Sequence, residues 1–79
     1  MKANIYVTLK REVLDPQGDA VRRAVTSMGF SNVESVRVGK LIEVELDETD
    51  RAKAEEALRA MCEKLLANPV IEDYRFEIA

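Results

Sequence analysis

Between Val33 and Leu46 the chain reads Val-Glu-Ser-Val-Arg-Val-Gly-Lys-Leu-Ile-Glu-Val-Glu-Leu. Val36, Val38, Ile42, Val44 and Leu46 occupy even positions, with Glu34 also in that set, while Arg37, Glu43 and Glu45 are odd. Alternation with period two marks a strand with one face buried and the other in water. The same parity limits what Gly39-Lys40 can do. A two-residue hairpin there would set Glu43 opposite Val36 and place a carboxylate on the core face. Two arrangements keep that face apolar: a hairpin with a three-residue loop at 39–41, or one continuous strand bent at Gly39. A long strand overhangs a small sheet and asks for a partner.

The flanking segments supply the rest of a small α+β domain. Residues 3–10 alternate Ile5, Val7 and Leu9 against Tyr6, Thr8 and Lys10, a β-rich first strand. Asp15 is placed to cap a helix that Pro16 opens, since proline's missing N–H falls among the unbonded donors of a first turn. Gly18, a poor helix former in that turn, marks a close approach of another backbone or a ligand. Ala20, Val21, Ala24, Val25 and Met28 follow at helical spacing, and Gly29 is placed to end the helix left-handed. A second helix runs from the acidic, cap-like Asp47-Glu48-Thr49-Asp50 to about Leu66. Its apolar stripe is Ala54, Ala57, Leu58, Met61, Cys62 and Leu65, and Asn68-Pro69 stop it. A last strand runs from Val70 to Ile78, with Tyr74, Phe76 and Ile78 on one face. The order predicts a single domain over 1–79, a two-layer sandwich with an antiparallel sheet covered on one face by two helices. With a hairpin it is ferredoxin-like; with a long bent central strand it is β-α-β-α-β.

Size and composition narrow the function. A chain of 79 residues buries only roughly 60% of its unfolded surface, so its core wants support. A single cysteine forbids an internal disulfide, and with no histidine a zinc site has almost no ligands. A partner chain is the remaining aid. The net charge of −3 argues against nucleic acid and anionic membrane, which select a positive face. No apolar run approaches a membrane span, and the opening Met1-Lys2-Ala3-Asn4 enters a strand pattern directly, so the cytoplasm is the expected compartment.

Catalytic groups are scarce. The commonest general base is missing, and Cys62 lies on an apolar helical stripe, where free cysteine behaves as a small hydrophobe. Asp47, Glu48 and Asp50 read as a helix cap rather than a Mg²⁺ site. Glu55 and Arg59 stand at i,i+4 on a solvated face. Lys10, Arg11, Arg37 and Lys40 flank two turns and are candidates for a small basic patch that contacts an anion or an acidic partner.

Several stretches carry a more specific signal: Val7-Thr8-Leu9-Lys10, Val13-Leu14-Asp15-Pro16-Gln17-Gly18, Met28-Gly29-Phe30, Val36-Arg37-Val38-Gly39-Lys40, and the run from Cys62 to Tyr74. In this order and spacing they closely resemble the PurS family, the small subunit of phosphoribosylformylglycinamidine synthase. The resemblance covers essentially the whole chain. It implies a non-catalytic role in de novo purine synthesis, where formylglycinamide ribonucleotide, ATP and glutamine yield formylglycinamidine ribonucleotide. It implies as partners a synthetase, which uses ATP and Mg²⁺, and a glutaminase that this subunit helps to dock. It implies a homodimer or higher oligomer, no cofactor in this chain, and no nucleic-acid or membrane partner. It also favours the long bent strand, with its overhang paired to a neighbouring subunit. Asp15, Pro16, Gln17, Gly18, Arg37 and Lys40 are the candidate partner contacts, with no catalytic or metal residue expected. The alternative from another class is a stand-alone ferredoxin-like domain binding a small metabolite.

Overall fold

The computed structural model describes residues 1–79. Strand β1 (Lys2–Leu9) is followed by helix α1 (Pro16–Ser27), strand β2 (Gly39–Glu45), helix α2 (Arg51–Met61) with a π-helical turn (Cys62–Leu66), and strand β3 (Glu72–Ile78). The three strands form one antiparallel sheet in the order β2-β1-β3. The α+β class and the β-α-β-α-β order are as expected, and the ferredoxin-like alternative with a fourth strand is not formed.

The fork at Gly39 resolves towards a single strand, shorter than its pattern. Thr8 pairs with Gly39, and β1 ends one residue later, so residues 33–38 run past the last strand able to bond them. Val38 gives its N–H to the Asp15 side chain instead. The overhang is thus tied to the start of α1 in its own chain.

Register explains the core. Ala3, Ile5 and Val7 of the central strand are buried; Ala3 pairs with Val44 and Ile78, and Ile5 with Ile42 and Phe76. Leu58 and Cys62 descend onto this row from α2 and its π turn, and Ala67 closes the end. Leu65 departs from the expected stripe and is 82% exposed. The reason is the π turn, where the Ala67 N–H reaches back five residues to the Cys62 carbonyl. That wider turn shifts the helical phase, bringing Ala67 in and turning Leu65 out.

One helix, not two, covers the sheet. No α1 residue belongs to the core cluster, and Val21 and Met28 of its apolar stripe are 43% and 72% exposed. The radius of gyration is 15.9 Å, against roughly 12 Å for a compact domain of this length. The end of α1 follows expectation: Gly29 takes φ +101°, and the Phe30 N–H donates back to the Val25 carbonyl.

Candidate functional site

The chain has one place where its turns converge, the junction between residues 9–18 and 35–40. It is built around a carboxylate. Asp15 is only 5% exposed, and as N-cap of α1 its Oδ1 accepts the Gly18 N–H at 2.9 Å. Its Oδ2 accepts the Val38 N–H at 2.8 Å, across 23 residues of sequence. One side chain therefore caps a helix and fastens a strand to it. Gly18 is buried directly beneath, and a Cβ there would collide with the Val36 carbonyl oxygen. The expected close approach is real, and it is made by the chain's own backbone.

Arg37 adds the second clasp. Its Nη2 donates to the Lys10 carbonyl at 2.7 Å and the Val13 carbonyl at 2.8 Å, with a longer bond to Leu9 at 3.4 Å. These carbonyls lie at the end of β1 and in the turn that follows it, where the Lys10 carbonyl also accepts the Val13 N–H at 2.9 Å, so the guanidinium ties that turn to residue 37. Asp15, Gly18 and Arg37 thus come together as a latch. Pro16 and Gln17 sit exposed at the first turn of α1.

Lys40 pairs with Val7 in the sheet register, so it interrupts the helix-covered face at its open end. Lys40, Gln17, Asp15 and Glu72 line a shallow concavity of about 200 Å³. Arg11 and Arg37 line a separate one of about 370 Å³ with Ser35 and Asp73. Lys40 therefore lies apart from Arg11 and Arg37, and Lys10 lines neither hollow, so the four basic residues do not form one patch. The other sheet face carries Arg75 stacked 4.0 Å above the Tyr6 ring, a cation–π pair that the sequence pattern did not single out. Cross-strand register sets Tyr6 opposite Arg75, and that pairing is invisible without knowing which strands are neighbours.

Electrostatics follow from these contacts. Hydrogen bonds from the Gly18 and then the Val38 N–H hold the Asp15 carboxyl below its ordinary value of 3.8. The folded state thus favours the ionised form. The stabilisation is fully present above the ordinary value and is lost as pH falls through the lower folded one. Asp15→Asn should lower stability at neutral pH and flatten its fall as the pH drops below that ordinary value. Urea midpoints measured across that range test this, and an unchanged slope would remove Asp15 from the acid response. Burial, then Glu63, pushes the Cys62 thiol up, and the residue is 0% exposed, so it is a poor nucleophile.

Of the other carboxylates, Asp50 caps α2 through the Ala52 and Lys53 N–H groups. Glu48 accepts from the Thr49 and Asp50 N–H groups. Glu55 bonds back to Arg51, not forward to Arg59 as its spacing suggested. No helix is long and apolar enough to cross a membrane.

Comparison with known proteins gives a consistent picture. The family model PurS, described as phosphoribosylformylglycinamidine (FGAM) synthase, matches residues 2–79. Phosphoribosylformylglycinamidine synthase subunit PurS of Bacillus subtilis is 51% identical over 77 residues, covering 98% of this chain and 90% of that one. The subunit of the same name from Methanocaldococcus jannaschii is 40% identical, covering 98% and 93%. Among solved structures, the C2 crystal form of B. subtilis PurS superposes with a TM-score of 0.82 over 96% of this chain and 94% of that one, at 51% identity. A chain of the PurLQS structure from Thermotoga maritima does so with a TM-score of 0.87 over 96% and 93%, at 34% identity.

Proposed function

The chain belongs to the PurS family, and from that premise we propose that it is a subunit of phosphoribosylformylglycinamidine synthase in purine biosynthesis that docks the glutaminase onto the synthetase. It contributes no catalytic group of its own. The observation that carries this reading is the commitment of its reactive groups to structure: the only thiol is buried in the core, and the one buried carboxylate is spent on two backbone N–H groups. The likeness to a chain of the PurLQS structure supports an assembled enzyme over a stand-alone metabolite sensor. ATP and Mg²⁺ then belong to the synthetase subunit, and the cytoplasm is where such a subunit works.

The six candidate contacts divide by role under this reading. Asp15, Gly18 and Arg37 hold the junction's shape, while Pro16, Gln17 and Lys40 present it. Lys40 is the exposed charge at the mouth of the hollow, so it meets an acidic group of a partner. Lys40→Glu should weaken assembly with a matching synthetase and glutaminase by about tenfold, as expected for reversing one rim charge. Glutamine-dependent synthesis should fall with it at limiting subunit, while synthesis from free ammonia stays unchanged. Arg37→Ala should weaken assembly and lower the unfolding midpoint together, because it removes the donor that ties residue 37 to the Leu9, Lys10 and Val13 carbonyls. If glutamine-dependent synthesis proceeds equally well without this chain, the docking role is wrong.

A further inference from the structure

At the open end of β1 the chain gathers charges that it does not neutralise. Sheet register sets Thr8 of β1 beside Asp73 of β3. Arg11 stands just past the end of β1, and the bonds from Arg37 to the Leu9, Lys10 and Val13 carbonyls bring residues 35–37 to the same turn. Thr8, Arg11, Ser35, Arg37 and Asp73 thereby line one hollow of about 370 Å³ with Leu9. That volume falls within the range of about 300–1,000 Å³ that holds small ligands.

The lining is of mixed sign. The chain's ion pairs all form elsewhere, and Arg11, Arg37 and Asp73 take part in none of them. Arg37 spends only its Nη2 on the three carbonyls, which leaves Nη1 and Nε. Two guanidinium groups and a carboxylate thus share one hollow without closing on each other. A dianion such as phosphate gains from the arginines and loses to Asp73, and a diamine meets the reverse conflict. A molecule with one carboxylate and one ammonium on neighbouring atoms satisfies both signs at once. We propose that this hollow is a binding site for a free α-amino acid. Arg11 and Arg37 receive its carboxylate, for which the guanidinium fork is suited, and Asp73 receives its ammonium. The Thr8 and Ser35 hydroxyls are left for a polar side chain. A bound amino acid would span the end of β1, the segment before β2 and the start of β3, beside the junction that Asp15 and Arg37 already clasp. The site does not depend on the docking role, since it is read from this chain alone.

The test uses the full chain labelled with nitrogen-15, and L-alanine as the probe, because alanine carries the two charged groups and only a methyl besides. Amide shifts of residues 8–11, 35–37 and 73 should move together and saturate, with a dissociation constant of about 1–10 mM for so open a site. N-acetyl-L-alanine keeps the carboxylate and loses the ammonium, and L-alaninamide does the reverse. Each should bind at least about tenfold more weakly, the loss of one charge-assisted hydrogen bond. Arg11 and Asp73 are exposed, so their variants should keep the fold, seen as unchanged amide shifts elsewhere. Asp73→Asn should weaken L-alanine about tenfold and tighten inorganic phosphate, whereas Arg11→Gln should weaken both. Phosphate, N-acetyl-L-alanine or L-alaninamide binding the parent chain as tightly as L-alanine would overturn the amino-acid site. So would shifts that never saturate at these residues, or an L-alanine affinity unchanged in Asp73→Asn.

Discussion

Truncating Leu58 to alanine should remove a large share of the chain's stability and lower its unfolding midpoint steeply. Leu58 is fully buried at the centre of a cluster of six buried residues, and removing a buried leucine side chain costs about 2–5 kcal/mol. A domain of 79 residues holds about 4–12 kcal/mol in total at typical values per residue. The loss therefore takes a large share of the whole, and no disulfide offsets it. Met61→Ala, half-exposed on the same helix, should cost clearly less. Urea unfolding of both variants checks the ordering, and equal losses would mean that α2 is not the lid of this core.

The second large effect is at Gly18. Helix propensity alone says that alanine should be better there by about 0.8–1 kcal/mol. Steric collision says the reverse, because the new methyl would overlap the Val36 carbonyl oxygen and stand 2.8 Å from Asp15 Oδ2. Overpacking a closed site costs about 1–3 kcal/mol, and here the neighbours are backbone and a bonded carboxylate that cannot step aside. The collision wins. Gly18→Ala should lower the thermal midpoint by roughly 5–15 °C for a domain of this size. A midpoint that stays or rises would show that the helix start can shift away from residue 36.

Much of this architecture is written locally. Alternation at Ala3, Ile5 and Val7 and again at Ile42, Val44 and Leu46 specifies half-buried strands, and Asp15-Pro16 specifies a helix start, because each signal is made by neighbours in sequence. What escaped the pattern depends on distant partners. Arg37 lies on the face away from the core, which suggested an outward contact; its guanidinium instead serves carbonyls from 24 to 28 residues earlier. The stripe on α1 was legible, but amphipathicity states only that a face needs cover, not which surface supplies it. Leu65 was misplaced because a hydrophobic pattern assumes one helical period, and the π turn changes that period within a single segment.

The sheet order also sets a schedule for synthesis. β1 is the central strand, yet it is synthesised before both of its neighbours, and the second of them is complete only at Ile78. At about 5–20 residues per second, the Ala3-Ile5-Val7 row waits roughly 4–14 s for β3. Throughout that interval the nascent chain carries its central apolar strand with one edge or both unpaired, until β3 arrives to shield it.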